Sequence, residues 1–459
     1  MSTRFDAIVI GTGQAGPSLA VRMASAGMKV AIVERKRFGG TCVNTGCMPT
    51  KALVASAYTA HLARRAAEYG VTIDGPIRVD MKQVKARKDA IVERASQGVE
   101  KWLRETENVT VINGHARFTS PTSVRVGDDT LEAPKIFVNV GGRALVPQMP
   151  GVNDVPCLTN ASIMHLEVLP EHLLIIGGSY IGLEFAQAYR RFGARVTVVE
   201  KAPQIIARED PDVAQGVRDI LAAEGIAIET GAECMAVEKR GEQIAIRLDC
   251  NGGSREVVGS HLLLAVGRVA NTDDLGLARA GVEVDTRGNI VVDDELRTNV
   301  AGIWAMGDCN GRGAFTHTAY NDFEVIAANL LDGATRTIKD RLLAYALFTD
   351  PPLGRVGMTD TEIKRSGRNA RVGMRPMTRV GRAVEKGETL GFMRISVDAE
   401  SKRILGGTIL GVGGDEAVHS ILDAMALDAP YTALQQTMHI HPTVAELIPT
   451  LLGELKPLE

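Results

Sequence analysis

The sequence predicts an α/β protein of three parts, two Rossmann-like nucleotide-binding units and a C-terminal α+β unit. Three observations carry that reading. Asp6-Ala7-Ile8-Val9-Ile10 runs into Gly11-Thr12-Gly13-Gln14-Ala15-Gly16, and His172 to Ile176 runs into Gly177-Gly178-Ser179-Tyr180-Ile181-Gly182, so one strand–glycine loop–helix pattern occurs twice. The 459 residues exceed what a single core fills. From about residue 340 the texture changes to short strands followed by helices.

Composition narrows the class. Hydrophobic content of 45% and charged content of 23% describe an ordinary globular chain, and a net charge of −3 gives no basic face for nucleic acid. Six cysteines in this length do not make a disulfide scaffold. Cys157, Cys234, Cys250 and Cys309 are scattered and read as small buried or surface thiols, with no metal-ligand spacing. No secretory leader and no apolar run of the ~18–20 residues that span a bilayer is evident, so the expectation is a cytoplasmic protein with reduced thiols and no membrane.

Taken in order, the chain opens with a strand expected from Phe5 to Ile10, its run Ala7 to Ile10 apolar as a buried parallel strand is. The glycine loop follows, then a helix to Ala26 that Gly27 ends. Lys29 to Val33 forms the next strand, closing on Glu34. Gly11, Gly13 and Gly16 allow the tight turn and close approach to a pyrophosphate at the helix N-terminus, and Glu34 is placed to bind ribose hydroxyls.

Next comes Gly39-Gly40-Thr41-Cys42-Val43-Asn44-Thr45-Gly46-Cys47-Met48-Pro49-Thr50-Lys51, with four residues between its two cysteines. In an ideal helix residues five apart are offset by roughly 7.5 Å along the axis. A disulfide wants Cα atoms within about 4.4–6.8 Å. If Cys42 and Cys47 pair, the segment cannot be a regular helix, and Gly46 can relieve the backbone there. Pro49 suits a first helical turn, which puts Cys47 near a helix N-terminus where a thiolate is stabilised. By spacing alone the two cysteines read equally well as unrelated buried thiols.

Helical stretches are expected from Ala52 to Tyr69, with His61 as an ordinary packing histidine, and from Met81 to Arg104. Short strands fill Val109 to Val126, and Lys135 to Val140 is an apolar strand ending in Gly141-Gly142-Arg143. Pro147, Pro150 and Gly151 mark a boundary. In the second pattern Ser179 stands where a second glycine is expected, and Arg195 to Val199 closes on Glu200. Two fingerprints imply two dinucleotides, the arrangement of an electron carrier. Glu200 accepts ribose hydroxyls and repels a 2′-phosphate, which favours NADH over NADPH, although Lys201 and Arg208 lie close by. The unit ends near Leu262-Leu263-Leu264-Ala265-Val266-Gly267-Arg268. After Thr298 to Asp308 come Ala346 to Pro352, strands over Gly391 to Val397 and Arg403 to Leu410, helices from Asp415, and His439-Ile440-His441-Pro442-Thr443-Val444-Ala445-Glu446.

The segment GGTCVNTGCMPTK resembles the active site of the flavoprotein disulfide reductases, the class I pyridine nucleotide-disulfide oxidoreductases that include glutathione reductase, dihydrolipoamide dehydrogenase and mercuric reductase. The likeness spans nearly the whole chain. It implies an FAD-binding domain over 1–150 and 271–338, an NAD(P)-binding domain over 151–270 inserted within it, and a dimerisation domain over 339–459. It implies non-covalent FAD and NADH or NADPH, held by Gly11, Gly13, Gly16, Glu34, Thr41, Lys51, Gly141, Asp308, Gly177, Gly182, Glu200 and Gly267, with Asp308 on the ribityl chain. Tyr180 is implied as an aromatic gate over the flavin, and Lys51 with Glu184 as an ion pair near flavin N5. Cys47 is implied as the charge-transfer thiolate and Cys42 as the attacking sulfur of a redox disulfide. His441, oriented by Glu446, is the implied acid–base and comes from the other subunit of a homodimer; His439 lines the pocket at most. Asn139-Val140-Gly141 departs from the family's usual Ala-Thr-Gly and reads as a subfamily trait.

The expected activity is therefore NAD(P)H-dependent reduction of a small disulfide, or the reverse thiol oxidation. After Glu446 there is no C-terminal cysteine pair of the mercuric reductase or large thioredoxin reductase kind. The Asn-Val-Gly-Gly-Arg segment and Met377 to Glu388 nonetheless look closer to the mercuric-reductase-like and reactive-chlorine-resistance group. The alternatives are reduction of Hg(II) or Cu(II), dihydrolipoamide dehydrogenase, and a non-catalytic flavin-binding redox sensor. Retention of Cys42, Cys47, Lys51, Glu184 and His441 argues against the sensor.

Overall fold

The computed structural model describes residues 2–232, 235–250 and 253–459, so Cys234 and the side chain of Cys250 lie outside the described residues. The first apolar run becomes the buried strand Ala7–Ile10, at the centre of a five-stranded parallel sheet. Val30–Glu34 and Ile136–Val138 flank it, and Val109–Asn113 and Ile303–Ala305 form the edges. A strand covered on both faces has no polar side, which accounts for its unbroken apolar sequence. The expected strand from Phe5 is corrected at its start. Ser2–Arg4 is a separate strand paired with Asp129–Glu132, and Asp6 leaves the ladder to accept the Lys29 N–H at 2.7 Å.

The chain leaves the first sheet after Val138 and rejoins it at Ile303. Between these points lies a second five-stranded parallel sheet, ordered Cys157–Leu158, His261–Leu264, His172–Ile176, Arg195–Val199, Ala227–Glu229. A three-stranded antiparallel sheet, Met235–Arg240, Gln243–Cys250 and Gly253–Gly259, packs against it. The two connecting passages pair with each other as the strands Gly142–Ala144 and Arg268–Ala270. Gly141 (φ 61°) and Gly267 (φ 129°) turn the chain into this pair in the left-handed region that glycine tolerates.

The C-terminal unit is one antiparallel sheet of six strands, ordered Ala344–Leu347, Leu353–Gly357, Ile404–Leu410, Phe392–Asp398, Ala370–Pro376, Lys456–Pro457. Short helices, among them His419–Ala426 and Leu447–Leu452, cover it. Where it meets the second unit, Arg394 is only 7% exposed and binds Asp210 at 2.9 Å, Asp212 at 2.6 Å and Asp360 at 3.3 Å. Burial alone would raise the Asp210 carboxyl, but the Thr361 hydroxyl, the amides of Thr361 and Asp360 and the Arg394 charge hold it below the usual range. Among the described residues, no helix is long and apolar enough to cross a membrane.

The helix bearing the second cysteine runs Cys47–Arg64, not Ala52 to Tyr69. It begins earlier because Pro49 fits its first turn. It ends earlier because Ala66–Tyr69 is a 3₁₀ turn stopped by Gly70 at φ 73°.

Removing one member of a buried ion pair leaves its partners uncompensated, at a cost of about 3–5 kcal/mol. Arg394→Ala is expected to lower the urea midpoint of the C-terminal unit accordingly, and an unchanged midpoint would show the cluster to be dispensable.

Candidate active site

The two glycine loops are built alike. A Cβ on Gly11 (φ 102°) would lie 2.4 Å from the Asn139 carbonyl oxygen, and one on Gly177 (φ 114°) would lie 2.3 Å from that of Ala265. A Cβ on Gly16 would meet the Gly11 oxygen at 2.3 Å, and one on Gly182 the Gly177 oxygen at 2.1 Å. Only glycine lets each helix close on its strand so tightly. Ser179, in the place of a glycine, has φ −106° and ψ −174°, which any residue adopts, so the substitution costs nothing.

Each loop is tied to the acid ending the next strand. Glu34 Oε2 accepts the Thr12 N–H at 3.0 Å and the Thr12 hydroxyl at 2.6 Å, and Oε1 accepts the Lys36 N–H at 2.8 Å. Glu200 Oε2 accepts the Gly178 N–H at 2.6 Å, and Oε1 accepts the Ala202 N–H at 2.8 Å. A carboxylate offers about four acceptor sites, so both retain capacity for a ribose hydroxyl. A Cβ on Gly13 would lie 2.8 Å from Asn139 Oδ1, and one on Gly40 would lie 2.8 Å from Gly13 Cα, so the first loop is a bare-backbone cradle. Such a cradle, opening a ten-residue helix at Gly16, fits the diphosphate of FAD.

Asn139 explains the departure from Ala-Thr-Gly. Its side chain is buried, accepts the Gly16 N–H at 3.0 Å and donates to the Met306 carbonyl at 3.0 Å. It thus fastens the loop to the returning segment that carries Asp308. Asp308 Oδ2 lies 3.3 Å from Arg268 Nε, and Arg268 Nη2 donates to the Gly142 carbonyl at 2.5 Å and to Thr41 Oγ1 at 3.4 Å. Thr41, Gly141, Gly267 and Asp308 are therefore brought to one place around Arg268.

The cysteine segment is broken as required. Gly40–Asn44 is one short helix, Thr45 and Gly46 interrupt it, and Cys47 begins the next. A Cβ on Gly46 would lie 2.8 Å from the Thr41 carbonyl oxygen, so glycine makes the break possible. Cys42 and Cys47 are free thiols whose side chains interact directly. The Cys42 hydrogen bond, with help from Thr316 and Lys51, brings the Cys47 thiol down to about 6 against the opposing effect of burial. The same pairing, together with burial and the Cys47 charge, drives Cys42 far up. The Thr316 hydroxyl is 3.1 Å from Cys47 Sγ, in the first turn of the helix Thr316–Leu331.

Lys51 Nζ binds Glu184 Oε2 at 2.7 Å and sits 4.2 Å from the centre of the Phe348 ring. Glu184 Oε1 accepts the Phe348 N–H at 3.0 Å. Tyr180, the first residue of the helix Tyr180–Phe192, packs edge-on against Tyr345 and Phe315. His441 Nδ1 and Glu446 Oε2 are 2.8 Å apart, with the His441 side chain 80% exposed and Glu446 16% exposed. His439 turns instead to the Thr437 carbonyl at 3.0 Å.

Thr316, Arg268, Phe348 and Tyr345 were not read from the sequence as site residues. Arg268 had a signal, its position directly after Gly267. The others are common residues that only the fold brings to the cysteines and to Tyr180.

A family model described as pyridine nucleotide-disulphide oxidoreductase matches residues 5–322, and one for the dimerisation domain of the same proteins matches residues 343–452. The chain is 33% identical to the probable pyridine nucleotide-disulfide oxidoreductase RclA of Escherichia coli, over 99% of this chain and 100% of that one. It is 33% identical to a dihydrolipoyl dehydrogenase of Chlamydia muridarum (97% and 96% covered) and to a mercuric reductase of Streptomyces lividans (97% and 96%). Its fold matches a solved Cu(II) complex of the HOCl-induced flavoprotein disulfide reductase RclA from Escherichia coli, with TM-score 0.90 and 33% identity, covering 98% of this chain and 99% of that one.

The thiol geometry gives a pH dependence with a defined sign. Thiolate, the reactive form, appears as pH rises through the Cys47 value, so ultraviolet thiolate absorbance of the reduced protein is expected to develop with a midpoint near 6. Thr316→Val and Lys51→Met each remove a group that favours the anion, so both should move the midpoint upward. A midpoint at the ordinary thiol value in the unmodified protein would contradict the assignment.

Proposed function

The chain belongs to the pyridine nucleotide-disulphide oxidoreductases, and on that premise we propose that it carries electrons from NADH to a small disulfide through Cys42 and Cys47. The observation that carries this reading is a thiol held near 6 by Cys42, Thr316 and Lys51, one helix away from a dinucleotide cradle. FAD supplies the two-electron link between the nicotinamide and the sulfur pair. Gly11, Gly13, Gly16 and Glu34 hold its dinucleotide end, with Thr41, Gly141 and Asp308 beyond. Gly177, Gly182, Glu200 and Gly267 hold the nicotinamide dinucleotide, with Tyr180 as the ring that must move aside.

The sulfur chemistry balances on this chain's own groups. The Cys42 thiolate attacks one sulfur of the substrate, forming a mixed disulfide and expelling a thiolate that takes a proton. Cys47 then attacks Cys42, releasing the second thiol and leaving the Cys42–Cys47 disulfide to be reduced again. Because Cys42 holds its proton tightly, a base must remove it. His441 of the partner subunit is that base, with Glu446 holding its imidazole, in a homodimer that shares the site. The exposure of His441 and its 2.8 Å contact with Glu446 support a base presented outward, away from its own chain.

Glu200 places negative charge at the strand end where a 2′-phosphate would sit, which supports NADH over NADPH. Metal-ion reduction is the second reading. It is favoured by the solved Cu(II) complex of the related RclA and would use the same dithiol as ligand and electron source.

NADH oxidation measured with lipoamide, glutathione disulfide, other small disulfides, Hg(II) and Cu(II) tests both readings. Sustained turnover with a disulfide is the expected result, and turnover with metal ions alone would reverse the order of the two. Replacing His441 by Ala is expected to slow disulfide turnover about 10²–10⁴-fold while leaving flavin reduction by NADH intact.

A further inference from the structure

We propose that Tyr345, held by the buried Glu209, is a positioning residue that sets the resting place of the Tyr180 ring. This rests on the reading of Tyr180 as the gate of the nicotinamide site. Tyr345 is 8% exposed and stacks on Phe315, with ring centres 5.5 Å apart and planes inclined by 13°. Phe315 in turn stacks on His317 at 5.3 Å and 10°. Tyr180 meets this wall edge-on, 5.5 Å from Tyr345 at 77° and 6.3 Å from Phe315 at 81°. Edge-to-face contacts of this kind are favourable and directional. The wall is pinned at both ends, by the His317 ring to the Ala344 carbonyl at 2.7 Å and by the Tyr345 hydroxyl donating to Glu209 Oε1 at 2.5 Å.

The Glu209 bond is not an accident of an ion pair. Arg355 is the nearest cation, yet its Nε lies 3.7 Å from Glu209 Oε2, and Glu209 Oε2, Arg355 Nε and Arg355 Nη2 have no hydrogen-bond partner. A carboxylate buried for stability would close on the guanidinium. This one gives its well-formed bond to the tyrosine. Glu209 also ends the segment that starts at Glu200. Ile206 N–H donates to the Gly178 carbonyl at 2.8 Å and Glu209 N–H to the Ile206 carbonyl at 2.8 Å. The loop beside the dinucleotide's ribose end thus carries the residue that fixes the gate's wall. At the other end, Phe315 directly precedes Thr316, which touches Cys47.

The test compares two half-reactions of the holoenzyme by stopped flow: flavin reduction by NADH, and reoxidation of prereduced enzyme by Ellman's reagent. Flavin content is checked for every variant. Tyr180→Ala, Tyr345→Phe and Glu209→Leu are expected to shift the half-saturating NADH concentration in one direction by about threefold or more, with reoxidation within about twofold. Glu209→Gln, whose amide oxygen still accepts the phenolic proton, is expected to restore the NADH value to within about twofold. If Tyr180→Ala shifts it and Tyr345→Phe does not, the gate stands and its positioning by Tyr345 is overturned. If Tyr180→Ala has no effect, the gate reading itself fails. Equal loss of both half-reactions in Tyr345→Phe would mark a structural role and overturn the proposal.

Discussion

The structure depends on the ion pair between Lys51 and Glu184, because all three units meet there. Lys51 lies one turn beyond Cys47 on a helix of the first unit, Glu184 lies one turn beyond Tyr180 on a helix of the second, and Phe348 follows a strand of the third. The Glu184 side chain is only 7% exposed, so its charge must be compensated inside the protein. Lys51 at 2.7 Å and the Phe348 amide at 3.0 Å do so together, and the Phe348 ring covers the ammonium group. No unit can shift without stranding that carboxylate. The same cation, fixed in this way, helps lower the Cys47 thiol. Assembly of the units and one of the influences that lower the Cys47 thiol therefore share a single contact.

The duplicated glycine loops show what repetition preserves. In both, the first glycine abuts a carbonyl of the adjoining strand end, the last abuts the first, and the strand-end glutamate accepts an amide of the loop. The residues between are free to differ where the backbone is ordinary, as at Ser179. Asn139 is an addition to the first loop, beside the Thr12 hydroxyl that bonds Glu34. It replaces backbone-only packing with two side-chain hydrogen bonds, joining the loop to the segment that returns from the second unit. A buried amide with both ends satisfied adds specificity as well as stability.

Much of this was legible in the sequence because it is carried by local pattern. The strands His172–Ile176 and Arg195–Val199 were read to the residue, since an apolar run bounded by glycine and glutamate leaves little freedom. The helix break at Gly46 followed from the cysteine spacing on the condition that Cys42 and Cys47 meet. The start of the chain was misjudged because Asp6 interrupts what reads as one strand. The helix after the cysteines was misplaced because a four-residue 3₁₀ turn is too short for its period to stand apart from that of the preceding α-helix. Thr316, Tyr345 and Glu209 carried no signal. Their neighbours are set by tertiary packing, and no spacing along the chain records that Thr316 lies beside Cys47 or Glu209 beside Tyr345.

The broken helix also divides the labour of the two sulfurs. A pair of equivalent thiols would spread the first negative charge over both sulfurs, and neither would be poised. Here Cys47 receives the Cys42 hydrogen bond, with Thr316 and Lys51 adding to it against the effect of burial, so negative charge settles on it. That charge then raises its neighbour, and Cys42 keeps its proton. The arrangement keeps an electron-rich sulfur at Cys47 at the expense of Cys42, which becomes a poor nucleophile unless something withdraws its proton. An imidazole set by a carboxylate is suited to that task near neutral pH. His441 and Glu446 form such a pair in the C-terminal unit, 2.8 Å apart with the imidazole exposed, so a chain that lowers one thiol also carries a group able to relieve the other.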